Sequence, residues 1–195
     1  MMMPINIDVA NKKVAVIGGG GIALRKVKRL LEFSAHVVVI SPELCEGFTP
    51  IIENIKHIKG VYSKEHIIGC FMAIAASSSK DVNEKACNDC REMGILCSRS
   101  DISDEGDFTM PAVLKRESLV IGVSTCGCSP ALSARIIREL KEKYTKEYGE
   151  HVALLGRARK ALLQTMEDNA QRKKLLRDII DMEKEEIMEV ISKYE

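Results

Sequence analysis

The sequence predicts an α/β fold: a parallel sheet domain, then a small α+β region, then a helical C-terminal domain. Three observations predict it. The apolar run Val14–Ile17 ends in four consecutive glycines, Gly18 to Gly21, and an amphipathic helical pattern starts at once. A second β-branched run, Val37–Ile40, closes a strand–helix–strand unit within about thirty residues. Beyond Gly149 the apolar spacing is helical throughout. The expected division is residues 1–112, 113–148 and 149–195.

The glycine turn carries chemistry as well as shape. Gly18-x-Gly20-x-x-Ala23 has the spacing of a dinucleotide-binding turn, with alanine in the third position. Gly18 allows the tight turn. Gly20 lacks a Cβ, so a pyrophosphate can approach the main chain. Ala23 is small enough for the helix to pack on its strand. The helix N-terminus offers free N–H groups and partial positive charge to the phosphates. Gly18, Gly20, Gly21, Ile22 and Ala23 are therefore expected to hold a coenzyme, and the first domain is expected to be Rossmann-like.

The elements follow in order. Ile22, Val27, Leu30 and Leu31 form the apolar stripe of the first helix. The second strand ends at Ser41-Pro42-Glu43. His57–Val61 is a short strand, Lys64–Gly69 a helical turn, and Phe71–Ala76 a buried strand ending in Ser77-Ser78-Ser79. Lys80–Met93 is a helix that Gly94 stops, and Ile95–Ser98 is a further strand. In open parallel sheets ligands bind beyond the carboxyl ends of the strands. That rule adds Ser41, Pro42, Glu43, Ala75, Ala76 and Ser77 to the coenzyme contacts, and turns the segment Ser98–Asp101 toward the same crevice.

Residues 101–107 read as an acidic loop. Phe108–Val113, with Pro111, begins a new layer, and Leu119–Ser124 is a strand. Ser129-Pro130 is an N-cap with proline in the first turn, opening a helix from Ala131 to about Tyr148. Two apolar helical stripes follow, Leu154 to Met166 and Leu175 to Ile191, with a break near Asp168-Asn169. Their exposed charges and few aromatics fit a module that covers a core or a dimer seam.

Composition narrows the function classes. Apolar residues make up 46% of 195 and support a real core. Aromatics are 4% with no Trp, which argues against base stacking, and 29 basic against 28 acidic residues give a net charge of +1. No nucleic-acid or membrane partner is expected. Residues 1–10 lack the pattern of a signal peptide, and no apolar stretch approaches membrane-spanning length. The cytoplasm is the expected location.

Seven cysteines, an odd number, argue against a disulfide framework in such a chain. Cys87-Asn-Asp-Cys90 and Cys126-Gly-Cys128 invite comparison with a four-thiolate zinc site. Cys87 and Cys90 fall within a helix, however, and no fold rule brings them to the second pair. No resident metal is expected, and the thiols read as small packed groups.

Four segments together resemble the precorrin-2 dehydrogenases, which form the N-terminal part of sirohaem synthases and also occur alone. Gly18-Gly19-Gly20-Gly21-Ile22-Ala23-Leu24-Arg25-Lys26 is similar to the family's GGGxVAxRK. Ala73-Ile74-Ala75-Ala76 with Asp81-Val82-Asn83 is similar to AIAATxDxxVN. Phe108-Thr109-Met110-Pro111-Ala112 is similar to FxxPA, and Ser124 to Leu132 to STGGxSPxL. Order and spacing agree from about residue 8 to 145.

The resemblance implies oxidation of precorrin-2 to sirohydrochlorin with NAD as hydride acceptor, in some members followed by insertion of ferrous iron. It also implies a homodimer with a central dimerisation region and a cleft between the Rossmann domain and the rest. It assigns acid–base work, or metal insertion, to Asp101, which takes the place of an aspartate after the family's CNVV segment. The tetrapyrrole is then expected over Asp101, bounded by Thr125, Cys126, Gly127 and Ser129. Its carboxylates call for local cations, with Arg99, Arg135 and Arg138 as candidates.

The sequence departs from the family pattern in three places. Ser98-Arg99-Ser100 replaces Asn-Val-Val. Arg99 therefore either contacts a substrate carboxylate or lowers the acidity constant of Asp101. Cys126 replaces a glycine. The carboxylate expected to bond the adenine ribose is Glu43, two residues later than usual, and no arginine sits in that turn, which favours NAD over NADP. Whether iron is inserted is left open. Two other classes remain: a module that senses NAD(H) or a tetrapyrrole without turnover, and a cysteine-based metal chelatase or metallochaperone.

Overall fold

The computed structural model describes residues 2–102 and 105–195. The chain divides into two compact units between Met110 and Pro111.

In the first unit five strands are described: β1 (Lys13–Ile17), β2 (His36–Ser41), β3 (Ile55–Lys59), β4 (Met72–Ala75) and β5 (Leu96–Arg99). They form one parallel sheet in the order β3-β2-β1-β4-β5. Strand order reverses between β1 and β4, the switch point at which such sheets bind ligands. Helices α1 (Gly21–Glu32) and α2 (Lys80–Met93) cover the two faces.

The period of two along β1 divides the core. Val14 and Val16 face α1 and pack with Ala23, Val27 and Leu30. Ala15 and Ile17 face the other way, into the cluster that holds Ala86, Cys87 and Cys90 of α2. Burial on both faces explains why the strand reads as an unbroken apolar run. Each buried Val or Ile side chain contributes roughly 1.5–3 kcal/mol.

Several expectations shift. The third strand lies two residues earlier than His57–Val61. Ile22 leaves the stripe of α1: it is exposed, and Ala23 is buried in its place. A 3-10 turn over Glu46–Asn54, unsuspected in the sequence, buries Phe48. Phe108 and Met110 do not start a new layer but pack against the first core. Within the acidic loop expected over 101–107, residues 103 and 104 lie outside the described residues.

The second unit contains an antiparallel hairpin, β6 (Ala112–Arg116) and β7 (Leu119–Val123), then α3 (Pro130–Lys143), α4 (Lys146–Thr165), α5 (Asn169–Asp178) and α6 (Lys184–Tyr194). The helix expected to run to Tyr148 stops at Lys143, and α4 starts at Lys146 behind Thr145. Gly149, which looked like a boundary, is buried inside α4. A Cβ there would lie 3.0 Å from Arg116 main chain and side chain, so the glycine permits close contact between α4 and the hairpin. The break near 168 is as expected, with Asp168 capping α5. Ala158, Ile179, Ile187 and Ile191 form the helical core.

Candidate active site

The glycine corner sorts into two kinds of glycine. Gly18 has φ +123°, a region open chiefly to glycine, and a Cβ there would stand 2.4 Å from the Ala76 carbonyl oxygen. A Cβ on Gly19 would stand 1.9 Å from the Glu43 carbonyl oxygen. These two serve the chain's own packing. A Cβ on Gly20 or Gly21 would meet no described atom within 4 Å, and both residues are exposed. Their bareness answers to nothing within the first unit.

Gly20 caps α1 without a side-chain hydrogen bond, and the first turn carries no acidic residue among those described. The helix N-terminus thus presents main-chain donors and partial positive charge outward. Exposed Ile22 stands beside it. Buried Ala23 sits at the close approach of helix and strand.

Neighbouring strand ends complete this edge. The Gly18 N–H donates to Ile40 O at 2.8 Å, and the Ala76 N–H to Ile17 O at 2.8 Å. Ser41 is buried and donates its hydroxyl to Glu43 O at 2.7 Å, while His57 Nε2 donates to Ser41 O at 3.0 Å. Ser41 therefore shapes the turn, and the exposed members are Pro42 and Glu43. Ala75 and Ala76 are buried in the strand end.

Sequence reasoning left Asn83 without a role. It is fully buried on α2, accepts from Ser77 N at 2.9 Å and donates to Ser77 O at 3.0 Å. A side-chain amide thus replaces a missing backbone partner and fixes the loop after β4. The only signal was its place in the second segment of the family motif.

Asp101 follows β5 at the same carboxyl edge. Arg99 Nε donates to its Oδ1 at 3.0 Å and Arg99 Nη2 to its Oδ2 at 3.2 Å, while Nη1 bonds Glu105. The Arg99 side chain is 4% exposed and that of Asp101 20% exposed. Of the two roles foreseen for Arg99, the structure realises the contact with Asp101. Burial pushes the Asp101 carboxyl up, but the bonds from Arg99, from its own backbone and from Asn83 outweigh it and hold the group below the usual range. The adjacent Ser100 N–H donates to Ala75 O at 2.9 Å. The Ser100 hydroxyl is buried with no hydrogen-bond partner among the described residues.

The remaining candidates lie on one loop and helix of the second unit. Cys126 (φ +50°) and Gly127 (φ +85°) form the centre of a turn closed by Cys128 N to Thr125 O at 2.9 Å. The left-handed shape that glycine would adopt freely is thus kept despite the cysteine. Thr125 Oγ1 accepts from Ser129 N at 2.9 Å, and Ser129 Oγ accepts from Leu132 N at 3.3 Å, capping α3. Arg135 and Arg138 are both exposed, and Arg135 pairs with Glu139 at 2.9 Å. Such a solvent-exposed pair is weak and easily exchanged.

Residues 5–112 match the model of a family described as putative NAD(P)-binding. The chain belongs to that family. Its relatives narrow the comparison. It is 30% identical over 182 residues to a siroheme synthase of Photobacterium profundum, covering 92% of this chain and 39% of that protein. It is 33% identical over 142 residues to a probable multifunctional siroheme biosynthesis protein HemA of Ruminiclostridium josui, covering 71% and 28%. The chain thus spans well under half the length of these relatives. A precorrin-2 dehydrogenase of Methanosarcina barkeri is 28% identical, covering 93% of this chain and 84% of that protein. Among solved structures, SirC, a precorrin-2 dehydrogenase, has the same fold: TM-score 0.78 at 24% identity, covering 99% of this chain and all of that one. No helix among the described residues is long and apolar enough to cross a membrane.

Proposed function

We propose that the protein oxidises precorrin-2 to sirohydrochlorin with NAD, acting in the cytoplasm as a homodimer. The observation that carries this reading is an ionised carboxylate, Asp101, on the same sheet edge as a bare, uncapped glycine corner. The named activities of the relatives give the substrate class.

The residues present fit a dinucleotide. Gly20 and Gly21 leave main chain uncovered, and the α1 N-terminus supplies donors for a pyrophosphate. Glu43, which is exposed, is the carboxylate we assign to the ribose hydroxyl; its charge would repel a 2′-phosphate, which favours NAD over NADP. NAD bound there supplies the hydride acceptor. Asp101 takes the proton that the substrate loses, and each carboxylate oxygen keeps a lone pair beyond its bond to Arg99. Arg99 keeps that carboxylate ionised and fixes its plane. Arg135 and Arg138, with the Thr125–Ser129 loop, recognise carboxylates of the substrate. Exposed Val120 on β7 and Leu132 on α3 are apolar positions that support self-association.

The test is turnover of precorrin-2 with NAD and NADP in parallel, read by the absorption spectrum of sirohydrochlorin. Turnover with NAD, and much less with NADP, is the expected result. Coenzyme binding without turnover would favour a sensing module instead. Ferrous iron added in a second stage reads insertion separately.

A further inference from the structure

On the face of the sheet opposite α1, Cys87 of α2 and Cys97 of β5 bring their sulfurs to 2.9 Å, and both are free thiols. The sequence places them ten residues apart on different elements; only the packing of α2 on β5 joins them. Both are buried, yet both also line a cleft of ≈ 450 Å³ together with Arg91, Arg99 and Asp107. A buried thiol pair is ordinarily inert. Here a passage from solvent reaches it, and two guanidinium groups stand beside it.

We propose that Cys87 and Cys97 form a thiol–disulfide exchange site for small, low-molecular-weight disulfides, with Cys87 as the attacking thiolate and Cys97 as the resolving thiol. The two sulfurs are in contact across the α2–β5 packing, so closing a bond near 2.05 Å needs a movement of about 1 Å and no rearrangement of the sheet. Exposure assigns the roles: Cys87 is 8% exposed and Cys97 2%, so an incoming disulfide meets Cys87 first. Contact with Cys97, Arg99 and Arg91 lowers the Cys87 thiol against burial and Asp101. Cys97, more deeply buried and in contact with Cys87 and Cys90, is pushed up.

The chemistry balances with the small disulfide as oxidant. The Cys87 thiolate attacks one of its sulfurs; a Cys87–S–S–R bond forms, the R–S–S–R bond breaks, and R–S⁻ leaves. Cys97 then gives up its proton and attacks Cys87 Sγ. The Cys87–Cys97 bond forms and the second R–S⁻ leaves, taking a proton as a thiol. Two electrons pass from the protein to the small disulfide. The bridge would tie α2 to the strand that carries Arg99, two residues from Cys97. This site does not rest on the coenzyme reading.

The test is exchange with glutathione disulfide on the full chain, fully reduced at the start, quenched by acid and alkylation and mapped by peptide mass. A Cys87–Cys97 crosslinked peptide, lighter by two hydrogens and restored by dithiothreitol, is expected. Cys97→Ser, with an unchanged circular dichroism spectrum, should trap glutathione on Cys87; Cys87→Ser should leave Cys97 unmodified. A wild-type map in which Cys87 and Cys97 both stay free, or in which Cys87 pairs with Cys90 or another cysteine, overturns the proposal. So does a folded Cys97→Ser protein whose Cys87 carries no glutathione.

Discussion

Arg99 grips Asp101 with two parallel N–H···O bonds, of 3.0 and 3.2 Å, across one intervening residue. The pair sits where the family pattern has apolar residues before the aspartate. It makes Asp101 a fixed, ionised carboxylate rather than a mobile loop acid, and its consequences can be measured as a function of pH.

The Asp101 carboxyl is held below its ordinary value in the folded protein. A group depressed on folding contributes stability above its unfolded value, and that contribution is lost as pH falls through the folded one. The Arg99–Asp101 contribution is therefore complete at neutral pH and fades only well into the acid range. Arg99→Met removes the two Arg99 bonds and leaves burial opposed only by the Asp101 backbone and Asn83, so the carboxyl should rise. The acid limb of kcat/KM should move to higher pH, and the variant's stability deficit, full at neutral pH, should close as pH falls and the wild type loses its own pair. Thermal unfolding and initial rates measured from about pH 3 to about pH 7, roughly the carboxylate-to-neutral span, check both. An acid limb that stays in place would separate Asp101 from the proton transfer.

Gly18→Ala should destabilise the first unit. The backbone at φ +123° costs of order 1–3 kcal/mol for a residue with a Cβ, and the 2.4 Å approach to Ala76 O adds to it. Urea unfolding checks the loss.

Asn83→Ala leaves the Ser77 N–H and carbonyl without their partner. A cost of about 1–3 kcal/mol for each stranded group is expected, together with weaker coenzyme binding, because the loop after β4 loses its anchor. Asn83→Asp keeps an acceptor for Ser77 N–H but sets a buried carboxylate against Ser77 O and Asp101, so it should cost at least as much as Asn83→Ala. Unfolding in urea and coenzyme titration on both variants read the two effects separately.

Cys126→Gly tests the turn in the second unit. The left-handed φ of +50° costs a non-glycine residue about 1–2 kcal/mol, and the greater freedom of glycine in the unfolded chain offsets about 0.4–1 kcal/mol of that relief. A small gain in unfolding midpoint is expected. A clear loss would mean that the cysteine side chain itself supports the loop.

The unit from β1 to β2 was legible in the sequence because its signals are local: a strand-length apolar run, glycines at fixed spacing and a helical period. So was the α2 stop, where Gly94 takes φ +66° as a helix-ending glycine should. Gly149 misled for a matching reason. A glycine that ends a helix and a glycine that lets a helix touch a strand look identical in sequence; only the 3.0 Å approach to Arg116 separates them. The same holds within the corner itself, where four adjacent glycines divide into two that the fold requires and two that it leaves open. Asn83, the choice of Arg99 for Asp101, and the meeting of Cys87 with Cys97 all depend on which elements become neighbours. Propensity and spacing carry no record of that.

The most direct measurement is NAD affinity of Gly20→Val beside the wild type, with unfolding midpoints taken on the same samples. A Cβ at Gly20 meets no described atom within 4 Å, so the fold should be kept, with only a small loss of midpoint from the poorer helix cap. Affinity should fall at least tenfold, about 1.4 kcal/mol, because the added side chain covers the main chain reserved for the pyrophosphate. A folded variant with unchanged affinity would contradict the account.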